Sequence, residues 1–157
     1  MPEQRLPFCV SANRGPKSMA CSRLEDGRFH VYRAGAAPIL LTGSSFILAR
    51  EPLAALLGEL CSGCLDLVPA SVVQVASGES WNGYFEVKAK EEITPLTIAT
   101  VDASANAAWH FSRAHLFVSA SVMDEISSRG IKELSFSPGF SEFAGGGITR
   151  SLHSTPR

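Results

Sequence analysis

Apolar and polar residues change rhythm several times along this chain, and each change marks an expected element. The clearest rhythm covers residues 51–64. Leu53, Leu56, Leu57, Leu60, Cys61 and Cys64 recur at i, i+3, i+4, i+7, i+8 and i+11, the apolar stripe of an amphipathic helix. Pro52 suits a first helical turn, Glu51 brings negative charge to the positive end of the helix, and Gly63 is a natural stop. A period of two covers residues 84–90, where Phe85, Val87 and Ala89 alternate with Tyr84, Glu86, Lys88 and Lys90. That predicts a half-buried strand, joined as a hairpin to a Val-rich strand at residues 71–76 across the turn-rich residues 77–83. Residues 29–33 and 39–42 predict two more short strands, and residues 96–101 form another β-prone run. Residues 103–112 fit neither period.

Residues 115–138 read as strand, short helix, strand, with punctuation at each join. Ser119 or Ser121 can cap the helix, and Asp124 follows Ser121 at capping-box spacing. Val122, Met123 and Ile126 supply its buried side. Gly130 ends it where a positive φ is needed, and Ile131 follows where an apolar contact closes such an end. Leu134 and Phe136 then alternate with Glu133, Ser135 and Ser137 up to Pro138. The expected organisation is an irregular N-terminal arm at residues 1–28 with room for one short strand at residues 8–11. A single α+β domain at residues 29–143 follows, then a flexible C-terminal tail at residues 144–157. The domain is expected to be a mostly antiparallel sheet with two or more helices packed on it.

Composition narrows the partners more than the fold. The 157 residues carry 45% hydrophobic and 18% charged positions at a net charge of −1, so nothing marks a surface for nucleic acid or an anionic membrane. No apolar run approaches the roughly 18 residues that span a bilayer. The first residues lack the charged-then-apolar order of a signal peptide. Together these predict a soluble, cytoplasmic protein. Its four cysteines, Cys9, Cys21, Cys61 and Cys64, are then expected to be reduced thiols.

Candidate chemistry is sparse. Cys61-Ser-Gly-Cys64 has the spacing of a zinc chelate or a redox dithiol, and a zinc- or thiol-dependent protein using this pair is the alternative reading. Yet no second pair completes four ligands, and the motif falls at the C-terminal end of the expected helix, where the dipole disfavours a thiolate. Both cysteines also continue the leucine stripe, so they read as small core residues, and no metal or cofactor is expected. His30, His110, His115 and His153 share no ligand spacing; His110 and His115 lie near Asp102, but nothing marks a nucleophile. Gly145-Gly146-Gly147 lacks the strand–helix setting of a phosphate loop. Trp81, Tyr84 and Trp109 are residue types that anchor protein interfaces. With Asn82, Glu86 and His110 they form the candidate partner-binding set, and no catalytic residue is assigned.

One resemblance goes beyond these readings. Leu65-Asp66-Leu67-Val68-Pro69, the Val-rich run from Ser71, Gly83-Tyr84-Phe85-Glu86-Val87, His115-Leu116-Phe117-Val118-Ser119 and Gly130-Ile131 through Pro138 occur in an order that resembles immunity proteins of bacterial polymorphic-toxin systems, of the type first grouped around myxobacterial examples. The similarity spans about residues 53–138. Glu133 departs from the pattern, which usually has Gly there, and residues before Phe29 match nothing in it. The resemblance implies a non-enzymatic protein that binds and neutralises a co-encoded toxin; it transfers no catalytic residue.

Overall fold

The computed structural model describes residues 5–13 and 18–143. The order is β1 (Phe8–Ala12), β2 (Ala20–Arg23), β3 (Phe29–Arg33), β4 (Leu40–Thr42), β5 (Ile47–Arg50), α1 (Leu53–Leu60), β6 (Leu65–Pro69), β7 (Val72–Gln74), β8 (Glu79–Trp81), β9 (Tyr84–Ala89), β10 (Ala108–Phe111), β11 (His115–Val118), α2 (Ala120–Ser128), β12 (Leu134–Pro138) and the one-turn α3 (Ser141–Phe143). The α+β expectation holds at the coarse level, with antiparallel pairing dominant. The expected one sheet is, among the described residues, three of four strands each, ordered β10-β11-β1-β12, β4-β5-β9-β6 and β2-β3-β7-β8. The chain is 40% strand and 14% helix, more sheet-rich than a balanced α+β protein.

Three apolar clusters hold these layers, and side-chain alternation along each strand decides which cluster a residue joins. In β1, Val10 faces the largest cluster and Cys9 the third, on the opposite side; in β11, Leu116 and Val118 face the largest and Phe117 the third. The largest cluster is shared by the sheet containing β1, the sheet containing β9, and both longer helices through Leu53, Leu57, Val122 and Ile126. A second cluster joins the sheet of β9 to that of β3, through Leu41, Phe46, Leu48 and Tyr84 against Met19, Cys21, Phe29 and Val31. The third covers the far side of β1 with Ile93, Ile98, Trp109 and Phe117.

Several expectations change for physical reasons. The short strand expected at residues 8–11 forms as β1, but the arm is not otherwise irregular: β1 lies between β11 and β12, and a second strand, β2, pairs with β3. The helix expected over residues 51–64 stops at Leu60, because the N–H groups of Cys64 and Leu65 turn back to the Cys61 carbonyl and the chain enters β6. The expected hairpin of residues 71–76 with β9 does not form; β7 pairs with β8, and β9 pairs with β5 and β6. Residues 96–101 are turns, closed by the Thr94 and Thr97 hydroxyls on nearby N–H groups. Ser119 does open α2, but its hydroxyl accepts the Ala107 N–H, and Ser121 donates to Asn106. Both serines thereby tie the 106–107 loop to the helix start. Gly130 does end α2 with φ +80°, and Ile131 packs on the largest cluster. The expected tail at residues 144–157 lies outside the described residues. No helix among the described residues is long and apolar enough to cross a membrane.

Candidate functional site

The three sheets converge on one hollow of about 350 Å3. The end of β2 contributes Arg23, the β4–β5 turn Ser45 and Phe46, β9 the run from Glu86 to Ala89, and the β10–β11 hairpin His110 and Arg113. Gly43, just outside the hollow, sets the position of Phe46 in its wall. A Cβ there would come within 2.4 Å of the Phe46 ring, so only glycine lets Phe46 fold back over the turn. Phe46 meets Phe29 edge to face at 4.9 Å, and the Arg23 guanidinium lies over both rings, 4.9 Å from Phe29 and 5.9 Å from Phe46.

Glu86 is 8% exposed, an unusual place for a carboxylate on a strand. Arg23 accounts for it. The guanidinium donates two hydrogen bonds to the carboxylate, at 2.6 and 3.4 Å, from 63 residues away. The pair is therefore spent on itself. Lys88 and Arg113 are exposed at the same hollow and form no ion pair among the described residues. Among the lining residues Lys88 and Arg113 therefore leave an excess of positive charge beside Phe46, Ile47, Val87 and Ala89, with Asp66 standing opposite Lys88 across β6 and β9.

Arg113 is held there by a strained backbone. Ser112 and Arg113 have φ of +55° and +61°, and the Ala114 N–H closes the turn on the Phe111 carbonyl. Such hairpin turns favour Asn-Gly, since an ordinary side chain in the left-handed region costs about 1–2 kcal/mol per residue. Two contacts hold the conformation: the Ser112 N–H donates to the Glu92 carboxylate, and the Arg113 N–H donates to His110 Nδ1.

The residues expected to bind a partner separate into different places. Glu86 and His110 meet at this hollow. Trp81, Asn82 and Tyr84 border a different, shallower one. Tyr84 and Trp109 are 2% and 4% exposed, so as interface anchors they are corrected to core residues: they have no surface to present. Burial raises the Tyr84 hydroxyl to about 12, and it donates to the Pro38 carbonyl. Glu86 likewise is closed off from direct contact by Arg23 and its own burial. Sequence reasoning missed Arg23, Lys88 and Arg113. Arg113 followed residues that fit neither period and so carried no signal of a turn; Arg23 lay in the residues read as an arm.

The other candidates resolve locally. His110 and His115 point to opposite faces of their sheet, His115 into an aromatic group with Phe111 and Phe143 at 5.9 and 4.8 Å. Burial lowers the His115 pKa. Asp102 accepts from Ser104 instead, which lowers its own pKa. Cys61 caps α1 inside the largest cluster, and no metal-holding group of three His, Cys, Asp or Glu occurs among the described residues. Burial, and then Cys64 beside it, pushes the Cys61 thiol up to about 12, while burial pushes Cys21 to about 11. A thiol reagent at pH 8 is expected to modify half-buried Cys64 first and to reach Cys61 and Cys21 only as the protein unfolds. Mass spectrometry of timed digests checks this; early labelling of Cys61 would restore the thiol reading.

Comparison with protein-family models, curated proteins and solved structures finds no match to this chain.

Proposed function

We propose that this chain is an immunity protein, which binds a co-encoded toxin and blocks it by protein–protein contact without catalysis. The observation that carries the reading is the Ser112–Arg113 turn. Strain is held there by two side-chain contacts, and its result is a cationic group at the rim of a hollow, with no anionic partner among the described residues. Strain kept in this way is common where function requires it. Guanidinium and ammonium groups over an apolar floor suit holding an anionic group on another molecule. The order of segments in residues 53–138, which resembles toxin-system immunity proteins, supplies the kind of molecule.

The test is genetic and biochemical together. A toxin encoded beside this chain should kill cells that express it alone and spare cells that express both, and the two proteins should co-purify as a stoichiometric complex. Equal killing with and without this protein ends the reading.

A further inference from the structure

Granting the binding role proposed above, we infer that the hollow at the meeting of the three sheets is the anchor site for an acidic side chain of the partner protein. Arg113 and Lys88 receive the carboxylate, while Phe46, Ile47, Val87 and Ala89 cover its methylene stem.

Three observations lead to this occupant. Charge comes first. Arg23 and Glu86 neutralise each other, so Lys88 and Arg113 set the sign of the hollow, and the sign is positive. Glu92, whose carboxylate accepts the Ser112 N–H, and Asp66, opposite Lys88 across β6 and β9, reduce this charge from outside the lining without entering the hollow. Shape comes second. At about 350 Å3 the space is far larger than an inorganic anion and sits at the small end of sites for organic ligands. A single side chain with its flanking backbone fills it. The lining comes third. Cationic ends above an apolar floor match a group that is itself apolar in the stem and anionic at the tip, and a free phosphate would leave the floor wet. A nucleic-acid strand fits less well, because the chain is net negative and the two cations form a point, not a track.

The backbone strain makes the assignment testable in an unusual way. Glycine at position 113 relieves the left-handed conformation, so Arg113→Gly should raise thermal stability while it weakens binding. A merely structural turn would give the first change without the second.

The full chain, labelled with 15N, is titrated with acetyl-Glu-Glu-Glu-amide, with its glutamine counterpart and with inorganic phosphate. The glutamate peptide should shift the amides of Ser45, Lys88, His110 and Arg113 saturably, and the glutamine peptide should not. Arg113→Gly and Lys88→Gln should each weaken that binding about tenfold or more, with the remaining amide spectrum preserved. Arg113→Lys should recover most of it. Absence of saturable shifts overturns the inference. Phosphate binding as tight as the peptide also overturns it, in favour of a free anion. The Arg113→Gly, Lys88→Gln double variant should fail to protect cells from the neighbouring toxin. If it protects fully while peptide binding is lost, the hollow binds carboxylates but not the partner, and the inference falls with the immunity reading intact. If the unaltered chain fails to protect, the immunity reading falls, and the peptide titration still reports on the hollow.

Discussion

A chain shortened to begin at Phe29 is expected not to fold. The sequence makes such a cut attractive, since residues 1–28 are rich in Pro, Ser, Arg and Gly and show no periodicity. The structure makes it destructive. β1 fills the centre of its sheet, with Val10 opposite Leu116 on one side and Phe136 on the other. Removing it strips pairing from β11 and β12 at once and opens both faces, because Val10 and Cys9 belong to different clusters. Residues 19–21 leave with it, and Met19 and Cys21 are buried against Phe29 and Val31. Each large buried side chain is worth about 1.5–3 kcal/mol, and domains hold only about 5–15 kcal/mol in total. A milder variant separates pairing from packing: Val10→Pro in the full chain removes one ladder N–H from a strand paired on both sides. Circular dichroism and amide dispersion should show the truncated protein unfolded and the proline variant severely destabilised. A shortened chain with a native-like cooperative transition would show that the arm reading was right.

The largest loss from a single truncation of a side chain is expected at Phe117→Ala, about 3–5 kcal/mol. Phe117 is fully buried and touches the rings of Phe140 and Phe143 at 4.8 and 6.3 Å. Strands lie on either side of β11, so the sheet cannot collapse into the cavity. For a domain of this size that loss lowers Tm by roughly 6–20 °C. Phe111→Ala, in the same aromatic group but half-buried, should cost less than half as much, since water already reaches part of its ring. Calorimetry of the two variants decides it; equal losses would mean that the third cluster is a loosely packed cover and not a core.

What could be read from the sequence depended on how far away its cause lay. β11, α2 and β12 were legible because Gly130, Ile131 and Pro138 act within a few residues of where they stand. β9 was legible as a strand but not in its facing. Its apparently polar side carries Tyr84 and Glu86 into the structure, because Arg23 waits there, and no local period reports a partner 63 residues away. β5 is buried along both faces, so it has no alternation to detect. Residues 96–101 have strand-forming side chains, yet threonine hydroxyls wind them into turns. The candidate site shared this fate. Interface anchors were sought among aromatic residues, most of which the fold uses for its core, while Arg113 came from a segment with no periodic signature and Lys88 from the polar side of a strand, where a cation is unremarkable.

The position of β1 also sets a timetable. The strand is made well before its two neighbours, β11 and β12, the nearer register partner of Val10 being Leu116. At synthesis rates of about 5–20 residues per second, β1 leaves the ribosome roughly 5–20 s before it can be paired. During that interval an apolar strand with two open edges is exposed to every other chain nearby. The sheet that β1 organises can close only after β11 and β12 have been made, so this sheet forms by bringing an early strand back to two late ones, and not from its N-terminus forward.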